Sequence, residues 1–259
     1  MQTPGLLDPF PLWALFPLTV LIALLSVELG YRVARYRKSR SDEEPEAPVG
    51  GMVGATLGLF AFMLAFTFGL AGSRFEDRRQ VLLSESNAIG TTYLRAAMLP
   101  DPMRAEIRSR LREYVDVRLE GVQPEKLAQS ISKAEELHEL LWSQAVAATE
   151  KDRSAVTALF VNSLNEVIDL HAQRLMAGLR SRIPAAIWIV LYLLAILSMA
   201  AVGYHEGLSG KRRSLAVATL VLGFSAVLFL IADLDRPGQG SLQVSQQSMI
   251  DLKKSMTGR

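Results

Sequence analysis

The chain has 259 residues, half of them hydrophobic, and a formal net charge of only +2. A charge this close to zero gives no support for nucleic-acid binding. Because the sequence contains no cysteine, disulfides, thiolate catalysis and cysteine-ligated metal sites are excluded. The hydrophobic fraction is high for a water-soluble domain and low for a protein made only of membrane helices, so we expect both kinds of structure.

A first membrane helix is predicted over 12–29, which is apolar apart from Thr19, Ser26 and Glu28. The residues before it contain no Lys or Arg, and the basic run YRVARYRKSR follows it where a signal peptide would have a small-residue cleavage site. We therefore interpret it as a retained membrane helix. Residues 1–49 comprise this helix and a polar, basic loop.

The second apolar segment, 52–71, is uncharged and has the ~20 residues that a helix needs to cross a bilayer core. Pro100 is the first proline after it, so we expect one helix to continue from the membrane into water. We assign 50–73 to the second transmembrane helix. Residues 74–182, with 16 basic and 16 acidic residues, are predicted to form a soluble insert of roughly four helices.

Two further apolar segments, 183–202 and 215–232, are predicted as the third and fourth transmembrane helices, and 233–259 as a C-terminal tail. The alternation typical of strands is missing from the insert. The sequence thus predicts an all-α membrane protein with four transmembrane helices. A helical-bundle insert lies between the second and third, and the second continues into it.

The charge of the short connections predicts the orientation. The connections 31–49 and 203–214 contain five and three basic residues, whereas the N-terminus has none. By the positive-inside rule both connections are cytoplasmic, which places both termini and the 74–182 insert outside a plasma (inner) membrane.

The second span has two distinct faces at helical spacing. Small residues that recur every seven positions form a candidate helix-packing seam: Gly51, Gly58, Ala65 and Gly72. A separate bulky face contains Leu59, Phe62 and Phe66. These side chains either meet lipid or neighbouring helices, which spacing alone favours, or form a ring that constricts a pore in an oligomer by dewetting.

Beyond the membrane, two apolar stripes each contain one polar residue. Glu85 lies in the stripe of the first insert helix, and His171 lies in the stripe of the returning helix at a similar height. We predict that they are partners. The pair either is a buried contact that sets helix register, which we favour, or is a proton-responsive latch, because a His beside a carboxylate can titrate near neutral pH.

No catalytic or metal site is predicted. His138 and Glu139 lack the second His of a metalloprotease helix, and the loop GLSGKRRS has neither a nucleophile elbow nor phosphate-loop glycine spacing. The three histidines are scattered, so no metal or cofactor is expected. Asp233, Asp235 and Arg236, at the end of the fourth span, are candidates for a pore mouth or for helix capping.

Several segments together resemble a bacterial membrane family of unknown function called bestrophin-like, over nearly everything from Gly50 to the tail. They are LAFTFGLAGSRFEDRRQ, SESNAIGTTYLRAAMLP, REYVDVRL, LNEVIDLHAQR, IPAAIW, GYHEG and DLDRPGQGSLQVS. One departure is Gly238, because the family usually has an aromatic after the proline of the tail.

The family is itself similar to bestrophins, pentameric anion channels with four membrane helices per subunit. The resemblance implies that the second span lines a pore, and that the pore-lining candidates are Leu59, Phe62, Phe66 and Ser73, the last belonging to an SRF motif. Bestrophins have their large domain in the cytosol, opposite to the orientation that loop charge predicts. The implied partners are the lipid bilayer, further copies of the chain and small ions.

Two functions from different classes therefore stay open. The first is an oligomeric ion channel whose second span faces the axis. The second is a membrane-anchored helical sensor or protein-interaction module with no transport activity.

Overall fold

In a computed structural model, the described residues are 5–40, 46–210, 215–238 and 240–258. They form helices, and none of them lies in a strand, which confirms the all-α prediction. Four helical segments are long and apolar enough to cross a membrane, as predicted: Leu12–Ser39, Pro48–Ala96, Ala155–Ser209 and Leu215–Asp235.

We number the α-helices of the described residues in chain order. They are α1 (Leu12–Ser39), α2 (Glu46–Ala96), α3 (Met103–Glu120), α4 (Leu127–Lys151), α5 (Ala155–Leu175), α6 (Ala185–Ser209), α7 (Leu215–Asp235) and α8 (Gln247–Thr257). A 3-10 turn, Pro124–Lys126, precedes α4, and a π turn, Met176–Arg180, follows α5.

The chain forms two compact units. Unit 1 contains the described residues of 1–74 and 182–242, and unit 2 contains those of 75–181 and 243–259. The helix α2 contributes its first part to unit 1 and its second part to unit 2.

The first helix is longer than predicted. We expected a loop from residue 31, but α1 continues to Ser39. Glu28 accepts from Arg32 one turn later at 2.6 Å, and Arg37 and Lys38 lie in the last turn, where cations interact favourably with the helix dipole. Four of the five basic residues of the first connection therefore lie in α1, and Lys211, Arg212 and Arg213 of the second connection lie outside the described residues.

In unit 1, α1 and α6 approach so closely that only glycine fits at their contact. A Cβ atom at Gly203 would overlap the carbonyl oxygen of Val27, and one at Gly30 would overlap that of Ala200. Close backbone approach of this kind is how membrane helices gain packing energy. The small-residue seam predicted on α2 is not this contact, because a Cβ at Gly51, Gly58 or Gly72 would meet nothing within 4 Å among the described residues.

We expect Gly203→Ala to destabilise unit 1 by about 2 kcal/mol or more, since the added methyl group must push two backbones apart. Gly223→Ala on α7 is the matched control, because a Cβ there meets no described atom within 4 Å. Thermal unfolding of the detergent-solubilised protein measures both. Equal melting temperatures for the two variants would contradict the close contact.

One face of α2 packs inside unit 1. Phe60 is buried and its ring lies 4.8 Å from that of Phe224 on α7. The hydroxyl of Ser198 on α6 donates to the carbonyl oxygen of Thr56 at 3.3 Å. These two contacts show which face of α2 is internal to unit 1.

Unit 2 is a helical bundle around a single apolar core. The second part of α2 packs with α3, α4, α5 and α8, and the core includes Ile89, Leu111, Leu141, Phe160 and Met249. The short helix α8 is held by two hydrogen bonds to its backbone: Tyr93 donates to the carbonyl oxygen of Met256 at 3.1 Å, and Ser86 donates to that of Ser248 at 3.0 Å.

Candidate functional site

The apolar face of α2 that we predicted as pore-lining is uncovered in the single chain. Leu59 is 51% exposed, Phe62 66% and Phe66 62%. Ser73 is also exposed. At about 100° per residue these four positions fall within an arc of about 60°. The chain thus presents a narrow bulky stripe, well away from the face that Phe60 occupies.

The small-residue seam lies beside this stripe on the same helix. Gly51, Gly58 and Ala65 are exposed and Gly72 is half-buried. The seam offers open backbone surface that the described residues of the chain do not fill. A second helix could approach it as closely as α6 approaches α1.

The acidic residues at the end of α7 are buried. Asp233 accepts from the backbone N–H of Ser241 at 2.8 Å and also from its hydroxyl. Asp235 accepts from the N–H of Ile183 at 2.8 Å and from Arg182 at 3.3 Å, and Arg74 lies 3.8 Å away. Both carboxylates are thus engaged by donors within unit 1, which is local pairing; as acceptors they cannot cap the C-terminal carbonyl oxygens of α7.

Arg236 binds the N-terminal segment, a contact with no local signal in the sequence. Its guanidinium donates to the carbonyl oxygens of Phe10, at 2.8 Å, and Leu7. Asp8 lies 3.6 Å from Arg236 and accepts from Arg182 at 2.6 Å. Residues 7–10 are thereby anchored to the start of the third predicted span and the end of the fourth.

Glu85 and His171 lie in one buried cluster in unit 2, and Tyr114 of α3 lies between them. The Tyr114 hydroxyl donates to Glu85 Oε1 at 3.0 Å, and its oxygen lies 3.3 Å from His171 Nδ1. Glu85, which is 0% exposed, also forms ion pairs with Arg118 at 3.0 Å and Arg174 at 2.6 Å. The predicted partners are thus joined through a tyrosine.

This geometry assigns the tautomer of His171. Because the Tyr114 proton goes to the carboxylate, the tyrosine oxygen is an acceptor and His171 Nδ1 must donate to it. His138 of α4 packs edge-on against His171, with ring centroids 4.9 Å apart. Neither Nε2 atom has a hydrogen-bond partner among the described residues, so a proton on either Nε2 would have no acceptor there.

Burial and charge keep both imidazoles neutral. Desolvation, followed by the nearby Arg118, lowers the pKa of His138 to about 4 and that of His171 to about 3. The two arginines outweigh burial at Glu85 and lower its pKa, whereas burial and Glu85 raise the pKa of Tyr114 well above its usual value. The cluster therefore supports the register role and not a latch that titrates near neutral pH.

We expect unit 2 to lose stability as the pH falls below about 6.5. An unfolded His binds a proton near that pH, whereas the folded His138 and His171 do so only near 4 and 3, so each pH step down favours the unfolded state. Glu85 adds to the loss below its unfolded pKa of 4.5, because its folded pKa is lower still. The total loss is on the order of a few kcal/mol.

Melting temperatures of the solubilised protein from pH 8 to pH 4 measure this effect. In His138→Leu the melting temperature is expected to fall less steeply with pH below 6.5 than in the parent, because one of the two histidines with a lowered pKa has been removed. A parent whose melting temperature is flat across this range would contradict the lowered pKa values.

Three members of the cluster were not predicted from the sequence, and a fourth was misinterpreted. Tyr114 and Arg118 are one turn apart in REYVDVRL, and Arg174 follows His171 by three residues, so each lies one turn from a partner on its own helix. His138 was considered only as a metal ligand. Among the described residues, no group of three or more His, Cys, Asp or Glu is placed to bind a metal ion.

Comparison with known proteins identifies the fold. The family profile described as Bestrophin-like domain matches residues 19–249. A crystal structure of a mutated bacterial Bestrophin homolog from Klebsiella pneumoniae superposes with a TM-score of 0.68 at 16% identity, covering 96% of this chain and 98% of that one. No curated protein matches the chain.

Two further crystal structures are similar. One, described as a membrane protein, has a TM-score of 0.65 at 17% identity and covers 96% of this chain and 99% of its own. Another mutant of the Klebsiella pneumoniae homolog has a TM-score of 0.63 at 17% identity, and the match covers 95% of this chain and 98% of that one. At these identities the comparisons establish the fold.

Proposed function

Because the chain belongs to the Bestrophin-like family, whose profile covers most of its length, we propose that it is an oligomeric membrane ion channel with α2 around the axis. The observation that carries this proposal is the uncovered stripe of Leu59, Phe62 and Phe66 beside an unfilled glycine seam on one membrane helix. The proposal assigns no catalytic residue, metal or cofactor.

The seam supports assembly from several copies. Each glycine in a helix costs about 1 kcal/mol relative to alanine, so a run of them in α2 needs a compensating contact. At Gly30 and Gly203 the chain shows such a contact between α1 and α6. For α2, a neighbouring copy would supply a close helix contact of the same kind by packing on Gly51, Gly58, Ala65 and Gly72. From the family resemblance we propose five copies.

The bulky stripe supports the proposal of an ion pathway along the axis. With the seam at the interface between copies, the adjacent stripe turns toward the axis, where Leu59, Phe62 and Phe66 form stacked apolar rings. Such rings hinder ions by expelling water, which makes a narrow apolar constriction a barrier. Ser73 would lie at the polar end of the constriction.

Mass and flux test the proposal together. The full chain is purified in detergent and its particle mass measured, then reconstituted into liposomes loaded with KCl for an ion-flux assay. A multimer whose liposomes leak ions above protein-free controls supports the channel. A monomer, or a multimer with background flux, would favour the alternative of a membrane-anchored interaction module.

The charge of the short connections orients both termini and the insert outside the plasma membrane, whereas the bestrophin resemblance implies the opposite. Protease added to intact cells distinguishes the two. Cleavage within 74–182 supports the charge-based orientation. Protection that ends only when the membrane is permeabilised supports the bestrophin orientation.

A further inference from the structure

The bulky stripe of α2 continues past the apolar segment into charged sequence without a break in helical phase. α2 is a single helix from Glu46 to Ala96. Asp77 follows Leu59 by 18 positions, which at about 100° per residue make five whole turns. Asp77 also follows Ser73 by four residues, so it lies on the same side of the helix, about one turn beyond the polar end of the constriction.

Asp77 is exposed, and its carboxylate has no ion pair or hydrogen bond with the described residues. Its neighbours are engaged differently. Glu76, about 100° away around the helix, forms an ion pair with Arg79 at 3.2 Å. Arg74 lies 3.8 Å from Asp235, and Arg78 lies against the Phe75 ring, 5.9 Å from its centroid. No ion pair among the described residues therefore engages the carboxylate of Asp77 on this face.

The rest of the face is neutral for several turns. Gln80 and Thr91 are exposed polar residues within the arc of about 60° that the stripe covers, and Asn87 lies about 20° outside it. Between Leu59 and Thr91, all of which the structure describes, Asp77 is the one charged residue within that arc. The next is Arg95, whose guanidinium donates to the carbonyl oxygen of Leu159 at 2.8 Å.

We propose that Asp77 determines the charge selectivity of the pathway and that it favours monovalent cations over anions. This inference rests on the proposed channel function. When α2 surrounds the axis, each copy contributes one carboxylate to a ring next to the apolar constriction. A ring of like charge attracts counter-ions and repels co-ions where low-dielectric walls focus its field. This preference for cations is opposite to the anion preference that the bestrophin resemblance implies.

Reversal potentials in planar bilayers containing the full chain, measured across a KCl gradient, test the assignment. We expect the parent to pass K⁺ in preference to Cl⁻ by about fivefold or more. Asp77→Asn should bring the permeability ratio near 1, and Asp77→Lys should invert it. Glu76→Gln is the matched control, because it removes an adjacent carboxylate that is off the stripe and paired with Arg79, and it should leave the ratio unchanged.

The outcomes separate the two levels of the proposal. Currents whose selectivity is the same in the parent, Asp77→Asn and Asp77→Lys would overturn the role of Asp77 and leave the channel standing. Equal shifts in Glu76→Gln and Asp77→Asn would show general surface charge and would also overturn it. Absence of current in the parent would overturn the channel and this inference with it. Size-exclusion profiles verify that each variant assembles as the parent does.

Discussion

Liposomes containing the Phe62→Ala/Phe66→Ala variant are expected to release ions at least about tenfold faster than those containing the parent chain. Both rings are more than 60% exposed in the subunit and lie one turn apart on α2. Replacing them with methyl groups widens and wets the constriction in the proposed oligomer. A tenfold change corresponds to only ~1.4 kcal/mol of the barrier, a small part of what two stacked apolar rings could impose.

The matched control removes exposed apolar side chains from other membrane helices. Leu193 on α6 and Leu222 on α7 are 52% and 50% exposed, and their double Ala variant should leave flux unchanged. If flux from the Phe variant stays at the parent level, the stripe does not lie on the pathway. If both double variants leak equally, the increase reflects damaged packing and not a wider constriction.

Glu85→Gln is expected to destabilise unit 2 by about 3–5 kcal/mol, the largest effect on stability that we expect of a single substitution. The carboxylate is fully buried and accepts from Tyr114 while pairing with Arg118 and Arg174. The neutral glutamine side chain leaves Arg118 and Arg174 close together without the carboxylate that neutralises them. The midpoint of thermal unfolding of the solubilised protein should fall by roughly 10 °C.

Glu113→Gln provides the comparison, because Glu113 is half exposed and its nitrogen–oxygen distance to Lys133 is 3.7 Å. A surface pair of this kind contributes less than about 1 kcal/mol. Similar midpoints for the two variants would mean that Glu85 is not a buried ionic centre. Adding Arg174→Gln to Glu85→Gln should recover part of the loss, since it removes one of the unpaired charges.

Local signals allowed the all-α class and the four membrane segments to be predicted, because the segments follow from their length and lack of charge. In the insert, α3 lies between Pro102 and Gly121, two residues that commonly delimit helices. Glu85 and His171 could be found because each interrupts an apolar stripe. Tyr114 and Arg118 could not be found in this way. They lie on a helix with four other arginines, a composition typical of a solvated surface.

The contacts that were missed join residues far apart in the chain. Gly30 and Gly203 are unremarkable in their own segments and become necessary only because α1 and α6 meet there. The contact of Arg236 with Leu7 and Phe10 spans more than two hundred residues. Periodicity and capping rules describe single helices, so they indicate a partner only where matching stripes contain an unusual residue, as at Glu85 and His171.

The anchoring of the N-terminal segment by Arg236 imposes an order on biogenesis. Residues 7–10 are synthesised before Arg236, because its guanidinium is made 226 residues after Phe10. At about 5–20 residues per second this interval is roughly 10–45 s. During it the segment lacks the guanidinium that binds its carbonyl oxygens, so residues 7–10 reach their anchored position only after α7 has been synthesised.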